Sequence, residues 1–191
     1  MKGVSTKQVW KFKGHFLKVC SGHLGWHPKI IKMFAQQVDL ALQSLKSIVA
    51  IRFEVFVAEF TKDNAVISYL RRTIVRHLRR SFENLVIGYL WVREQGVGPK
   101  QHYHWVLFVD GKRVSKQRLK GMLKELFSRL PFYTLRLTKN GSFLVKNVGD
   151  KQFKKLIYRT SYLAKTRTKE TCPEGVHDYG VSRLTSSIRE R

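Results

Sequence analysis

Two long apolar runs of strand type dominate the chain. Leu85 to Glu94 and Gln101 to Val109 are rich in β-branched and aromatic side chains, and a short stretch with two glycines and a proline separates them. Such runs favour a pleated surface, and the Gly/Pro stretch forces a turn, so the pair reads as a long hairpin closed by Asp110-Gly111. In the second run His102 and His104 stand one residue apart. Strand side chains alternate with period two, so both imidazoles share one face and Tyr103 takes the other. The mouth of the hairpin sets Glu94 opposite them. A carboxylate beside two imidazoles suits a divalent ion with mixed N/O ligands and open positions for substrate. The plainer alternative is a half-buried histidine pair that ligates nothing, with Glu94 a solvated strand-end charge.

A second cluster lies downstream. From Asp150 to about Arg167 the sequence reads as a helix with Asp150 at its N-cap and a stripe of Phe153, Leu156, Ile157, Thr160, Leu163 and Ala164. Tyr158, Tyr162 and Lys165 fall at i, i+4 and i+7, on a separate face. A tyrosine hydroxyl with its ordinary pKa near 10 is a poor nucleophile at neutral pH unless a cation or metal stabilises the phenolate. Two phenols and an ammonium on one face meet that need. An aromatic helix face with a snorkelling lysine has the same pattern.

His102-Tyr-His104 followed by Tyr158-x-x-x-Tyr162-x-x-Lys165 resembles the HUH endonuclease superfamily, the single-strand nickases that start rolling-circle replication. The flanking text, Gly88 to Glu94, Ser161 to Lys169 and Tyr179-Gly-Val-Ser-Arg183, is similar to the inovirus-type replication initiators, also known as the YagK/YfjJ C-terminal-domain family. The resemblance runs from roughly Ile48 to Arg183. It implies an α+β fold with an RRM-like central antiparallel sheet packed by helices, the histidine strand central and the tyrosine helix lying across the site. It divides the chain into a basic N-terminal arm and helix, 1–46, and a nickase domain, 47–191, with no helicase domain after Arg183. It implies one Mg²⁺ or Mn²⁺ on His102, His104 and Glu94, and attack by Tyr162 or Tyr158 assisted by Lys165. The expected partner is single-stranded DNA at a replication origin, with the host's replication helicase and polymerase.

Composition agrees from a separate direction. Lysine and arginine number 37 against 13 acids, a net charge of +24 in 191 residues. Charge of that sign and size calls for a polyanionic partner, most simply nucleic acid. On a single strand log K is then expected to fall by about 0.7 per phosphate neutralised as log salt rises. A ribosomal-type RNA binder would carry the same charge. With 43% hydrophobic and 12% aromatic residues the chain can bury a core, which excludes a disordered basic tail. Two non-nickase readings stay open: a non-catalytic nucleic-acid-binding protein, and a metal-dependent nuclease that uses water.

Cys20 and Cys172 are far apart with no Cys-x-x-Cys partner, and the N-terminus lacks an apolar targeting segment, so reduced thiols in a cytoplasmic protein are expected. No apolar run approaches the roughly 20 residues needed to cross a bilayer, and no membrane partner is expected. Met1 to Trp26 reads as a basic surface arm; His15, His23, His27 and Cys20 within it fit no closed zinc site by spacing.

The remaining segments read as scaffold. Pro28 to about Lys46 is an amphipathic helix with Ile31, Phe34, Val38, Leu42 and Leu45 on one stripe, and Ile48 to Val57 is a strand. Ile67, Leu70, Ile74, Leu78 and Phe82 mark a second helix, whose outer face carries Arg71, Arg72, Arg76, Arg79 and Arg80. That face, with Arg183, either tracks phosphates or is simply solvated. Ser115 caps a third helix, and 135–138 with 143–147 read as a hairpin around Asn140-Gly141. The order suits an antiparallel sheet with helices mainly on one face.

Overall fold

A strand that is apolar at nearly every position buries both of its faces, and two such strands organise this protein. The computed structural model describes residues 3–21, 25–95, 101–165 and 175–185. A hairpin of β1 (Val9–Phe12) and β2 (His15–Lys18) comes first. It is followed by α1 (Pro28–Ser44), β3 (Ile48–Val57), α2 (Ala65–Ser81), β4 (Ile87–Gln95), β5 (Gln101–Asp110) and α3 (Lys116–Ser128). The chain continues through β6 (Tyr133–Val145), α4 (Lys151–Ser161), a 3-10 turn at Tyr162–Ala164, and β7 (Tyr179–Val181). The main sheet has five strands in the order β6-β3-β5-β4-β7, each antiparallel to its neighbours. The histidine strand β5 is central.

Helices cover both faces of the sheet, which corrects the expectation of a one-sided arrangement. Ile48, Ala50, Leu90, Val106 and Phe108 pack with α1 and α4, and Val49, Ile51, Trp105, Leu107 and Val109 pack with α2 and α3. The consecutive apolar residues Ile48–Ile51 of β3 and Trp105–Val109 of β5 were the signal, since a sheet with one solvated face alternates polar with apolar residues.

Three local expectations change. Residues 9–18 are not a surface arm: the β1–β2 hairpin sends Phe12 and Leu17 into the α1/α4 core, where Phe12 stacks on Phe153. The segment around Asn140-Gly141 does not reverse the chain. Both halves of β6 pair in line with β3, and 138–141 loop out opposite Arg52, with Asn140 at φ 55°. Thr138 Oγ1 donates to the Arg52 carbonyl at 2.9 Å, tying the loop back to β3. Finally, α4 stops at Ser161 rather than near Arg167. Ser161 Oγ donates to the Tyr158 carbonyl at 2.8 Å, and the Ala164 carbonyl accepts from His27 N at 2.9 Å. Lys165 forms a bridge with Trp26. Backbone pairing to the Trp26 segment outcompetes a further helical turn.

Asp150 caps α4 as the sequence indicates, accepting from Phe153 N at 2.6 Å and from Lys146 N and Asn147 N at 3.0 and 3.1 Å. Asp150→Ala is therefore expected to cost about 1 kcal/mol of stability, the usual value of an N-cap, and thermal or urea melting measures it. An unchanged midpoint would mean that the loop before α4 finds other acceptors.

Candidate active site

The sheet face beneath α1 and α4 is apolar along one half and polar along the other. Arg52, Glu54 and Phe56 of β3, His102 and His104 of β5 and Glu94 of β4 all project from the polar half. The register sets Glu54 opposite His104, Phe56 opposite His102, and Glu94 opposite His102 on the other side. The hairpin that the sequence indicates is therefore present, and Glu94 lies where its spacing put it; the turn at 96–100 is outside the described residues. Arg93 and Gln101, the sequence neighbours of Glu94 and His102, point to the opposite face. There Arg93 donates to the Asp63 carbonyl at 2.9 Å and to Gln101 Oε1 at 2.9 Å, and Gln101 donates to Tyr103 Oη at 2.7 Å. This buried network fastens the mouth of the hairpin and so holds the pleat that aims Glu94 and His102 into the site.

Glu94, His102 and His104 each offer one ligand atom, and these lie within 4.8 Å of one another. Glu94 Oε2 contacts His104 Nε2 and lies 3.5 Å from His102 Nε2. Two imidazole nitrogens and a carboxylate oxygen converging at the floor of an open cavity fit a divalent ion that keeps coordination positions free for substrate. Among the described residues this is the one such group. The N-terminal residues do not assemble another: His15 packs on Gly149 and Cys20 is a free thiol, while His23 and Cys172 lie outside the described residues.

Sequence reasoning missed Glu54. It is only 5% exposed, and its Oε1 lies 3.2 Å from His104 Nδ1 while Oε2 accepts from Arg136 Nε at 2.6 Å. Burial pushes the Glu54 carboxyl up, but His104 and Arg136 outweigh it and bring it down to about 2. Burial likewise opposes the charge on Glu94, and the two histidines hold its carboxyl well below the ordinary range. The His104 imidazole responds in the opposite sense: burial lowers its pKa, and Glu54 with Glu94 raise it above the usual value. Glu54 thus stands behind His104 in the position of the carboxylate of a carboxylate–histidine pair, an electrostatic contact at Nδ1 that favours the ring orientation with Nε2 toward the ligand side. The Phe56 ring packs on His102, stacked at 5.1 Å between centroids. The available signal was a pair of charges, Arg52 and Glu54, inside an otherwise apolar strand, since buried charges are rare unless paired or ligating. Glu54→Gln is expected to weaken Mn²⁺ binding about 10–100-fold, the usual effect of losing such a partner. Calorimetric titration measures this, and wild-type affinity would remove Glu54 from the orienting role.

Tyr158 and Tyr162 face the same cavity, about 430 Å³ in volume, whose walls include His102, His104 and Glu94. Both residues are roughly half exposed, at 46% and 44%. Because α4 gives way to a 3-10 turn at Tyr162, the i, i+4, i+7 face is not continuous. Lys165 instead folds back, with Nζ 3.9 Å from the Tyr162 ring centroid, and the Arg52 guanidinium lies 5.2 Å from the same centroid. Both cations meet the ring's π-face. Burial lowers the Arg52 pKa, which Glu54 partly offsets. Arg136 and Arg159 also line the cavity, and neither was singled out in the sequence.

The arginines chosen from the sequence lie elsewhere. Arg71, Arg72, Arg76, Arg79 and Arg80 are exposed on α2, which packs on the other face of the sheet. Arg183 is exposed beyond the edge strand β7 and does not line the cavity.

Residues 23–126 match the YagK/YfjJ C-terminal domain, and the chain belongs to that family. The matched span holds Glu54, Glu94, His102 and His104, while Tyr158, Tyr162 and Lys165 fall beyond it. No curated protein matches the chain. Among solved structures, the de novo designed protein Foldit4 is similar at 10% identity and a TM-score of 0.30, over 49% of this chain and 97% of its own. No helix among the described residues is long and apolar enough to cross a membrane.

Proposed function

We propose that this chain is a rolling-circle replication initiator of the HUH type, a nickase and strand transferase that cuts single-stranded DNA through a 5′-phosphotyrosine. The observation that carries the reading is the opening of Glu94, His102, His104, Tyr158 and Tyr162 onto one cavity. Glu94, His102 and His104 would hold one Mg²⁺ or Mn²⁺, which when bound supplies Lewis-acid polarisation of the scissile phosphate. Arg52, Arg136 and Arg159 line the same cavity and offset the phosphate's charge. The Tyr162 oxygen forms a bond to phosphorus as the P–O3′ bond breaks. The phenol gives its proton to solvent, and the departing 3′ oxygen takes one up. Lys165 and Arg52, against the Tyr162 ring, stabilise the negative charge that develops on the phenol. The phosphodiester energy is kept in the covalent link, so rejoining requires no ATP. Tyr158, one helical turn earlier, is suited to attack the regenerated junction and release a closed unit-length strand.

The substrate in this reading is single-stranded DNA at a replication origin, worked on in the cytoplasm with the host's helicase and polymerase. The α2 arginines and Arg183 are assigned to DNA flanking the cleaved strand. Incubation with a suicide oligonucleotide, followed by a denaturing gel, tests the proposal. A covalent protein–DNA band is expected. Cleavage without that band would make the protein a water-using nuclease, and binding without cleavage a nucleic-acid-binding protein.

A further inference from the structure

A second and larger depression, about 1220 Å³, adjoins the catalytic cavity and shares Tyr158 and Arg159 with it. Its walls come from β2, the first residue of α3, residues 140–143 of β6 and most of α4. Among the described residues six cations line it, Lys18, Lys116, Lys151, Lys154, Lys155 and Arg159, and no carboxylate does. Three of these lysines crowd the first turns of α4, which has no acidic residue in its first turn. Lys151 repels Lys154 and Lys155 at i+3 and i+4 spacing, and the Asp150 carboxylate at that end is engaged by three backbone N–H groups, so the free protein holds these cations at an electrostatic cost that a polyanion relieves.

Charge alone would suit any polyanion; Phe16 narrows the choice. It lines the same depression and is 70% exposed, in a hairpin whose other face is buried. Period-two alternation puts Phe16 and Lys18 outward together while Leu17 enters the core. The hairpin that carries the ring is anchored from behind, and Lys11 Nζ lies over the ring at 5.6 Å from its centroid. Phe12 stacks on Phe153, and the His15 ring packs on Gly149, where an added Cβ would approach within 2.3 Å. An exposed aromatic on an anchored hairpin, beside a row of lysines, matches how proteins hold single strands, with bases stacked on the ring and phosphates on the cations. A base paired within a duplex does not present its face in this way.

We infer that this groove is the track for single-stranded DNA entering the catalytic cavity, with Phe16 as a base-stacking platform and Lys18, Lys154 and Lys155 as phosphate contacts. The inference deepens the nickase proposal and rests on it for the direction of the track, toward Tyr158. It also gives the N-terminal hairpin a binding role that net charge alone does not reveal.

The test is fluorescence anisotropy of the full chain with a short labelled single strand of mixed sequence and with the same sequence as duplex. Thermal melting and Mn²⁺ titration serve as folding controls. Phe16→Ala is expected to weaken single-strand binding about tenfold while changing duplex binding far less. Lys154→Glu/Lys155→Glu is expected to weaken it further and to flatten the salt dependence by about 0.7 in log K per log salt for each phosphate that is no longer neutralised. Lys120→Glu/Lys124→Glu on α3, the same charge change outside the groove, is expected to have a much smaller effect. Three results would overturn the inference: wild-type affinity in the groove variants, an equal loss for duplex with Phe16→Ala, or an equal loss in the α3 variant. Groove dependence without a tyrosine adduct would leave the track standing and remove the nickase reading. An adduct without groove dependence would do the reverse.

Discussion

His102→Ala combined with His104→Ala is expected to abolish nicking while leaving non-specific DNA binding nearly intact. The two side chains supply two of three converging ligand atoms, and neither lines the lysine groove. A Lewis-acid ion is worth several kcal/mol at a phosphoryl centre, and every 1.36 kcal/mol is tenfold, so a loss of about a thousandfold or more is expected. Adding Mg²⁺ or Mn²⁺ to the wild type should restore activity after chelation. Zinc should support it poorly, because its tetrahedral preference leaves less room for a phosphate oxygen once three protein ligands are bound. Cleavage at the wild-type rate by the double variant in excess chelator would sink the metal assignment.

Tyr162→Phe is expected to lose the first covalent adduct, and Tyr158→Phe to form it yet fail to release closed circles. The order follows from which phenol has cations at its ring. Lys165 and Arg52 both lie against Tyr162 at 3.9 and 5.2 Å from its centroid, and the attraction falls with separation and screening. Tyr158 borders the lysine groove as well as the cavity, which suits a residue that meets strand arriving later. Peptide mapping of a trapped adduct decides the matter. Tyr158 alone in the adduct would reverse the order, and an adduct on neither would remove tyrosine catalysis.

Much of the candidate metal site was legible because its geometry is local. Glu94, His102 and His104 belong to two strands that are adjacent in sequence and paired antiparallel, so alternation and register suffice to bring them together. Helix α3 and its Ser115 cap, the Asp150 cap, and the β3 bounds were readable for the same reason. Glu54 was not, because its meaning depends on β3 lying beside β5, a pairing of residues 50 apart in sequence. The Asn140-Gly141 signal was read as a hairpin because a left-handed residue marks a tight turn without saying whether the strand then reverses or resumes its course. Both halves of β6 found the same partner strand, so it resumed.

The sequence by itself determined the strands β3, β4 and β5, the four α-helices in outline, the face shared by His102 and His104, and the excess of positive charge. These follow from short-range periodicity and composition. Only the tertiary structure decided that helices cover both sheet faces and that the N-terminal hairpin belongs to the core. It also decided that Glu54 backs His104, that Lys165 lies on the Tyr162 ring, and that the α2 arginines stand across the sheet from the cavity. Each of these is a contact between segments distant in the chain. Such contacts are selected by how all the apolar faces can be buried at once, a condition that no single window of sequence contains.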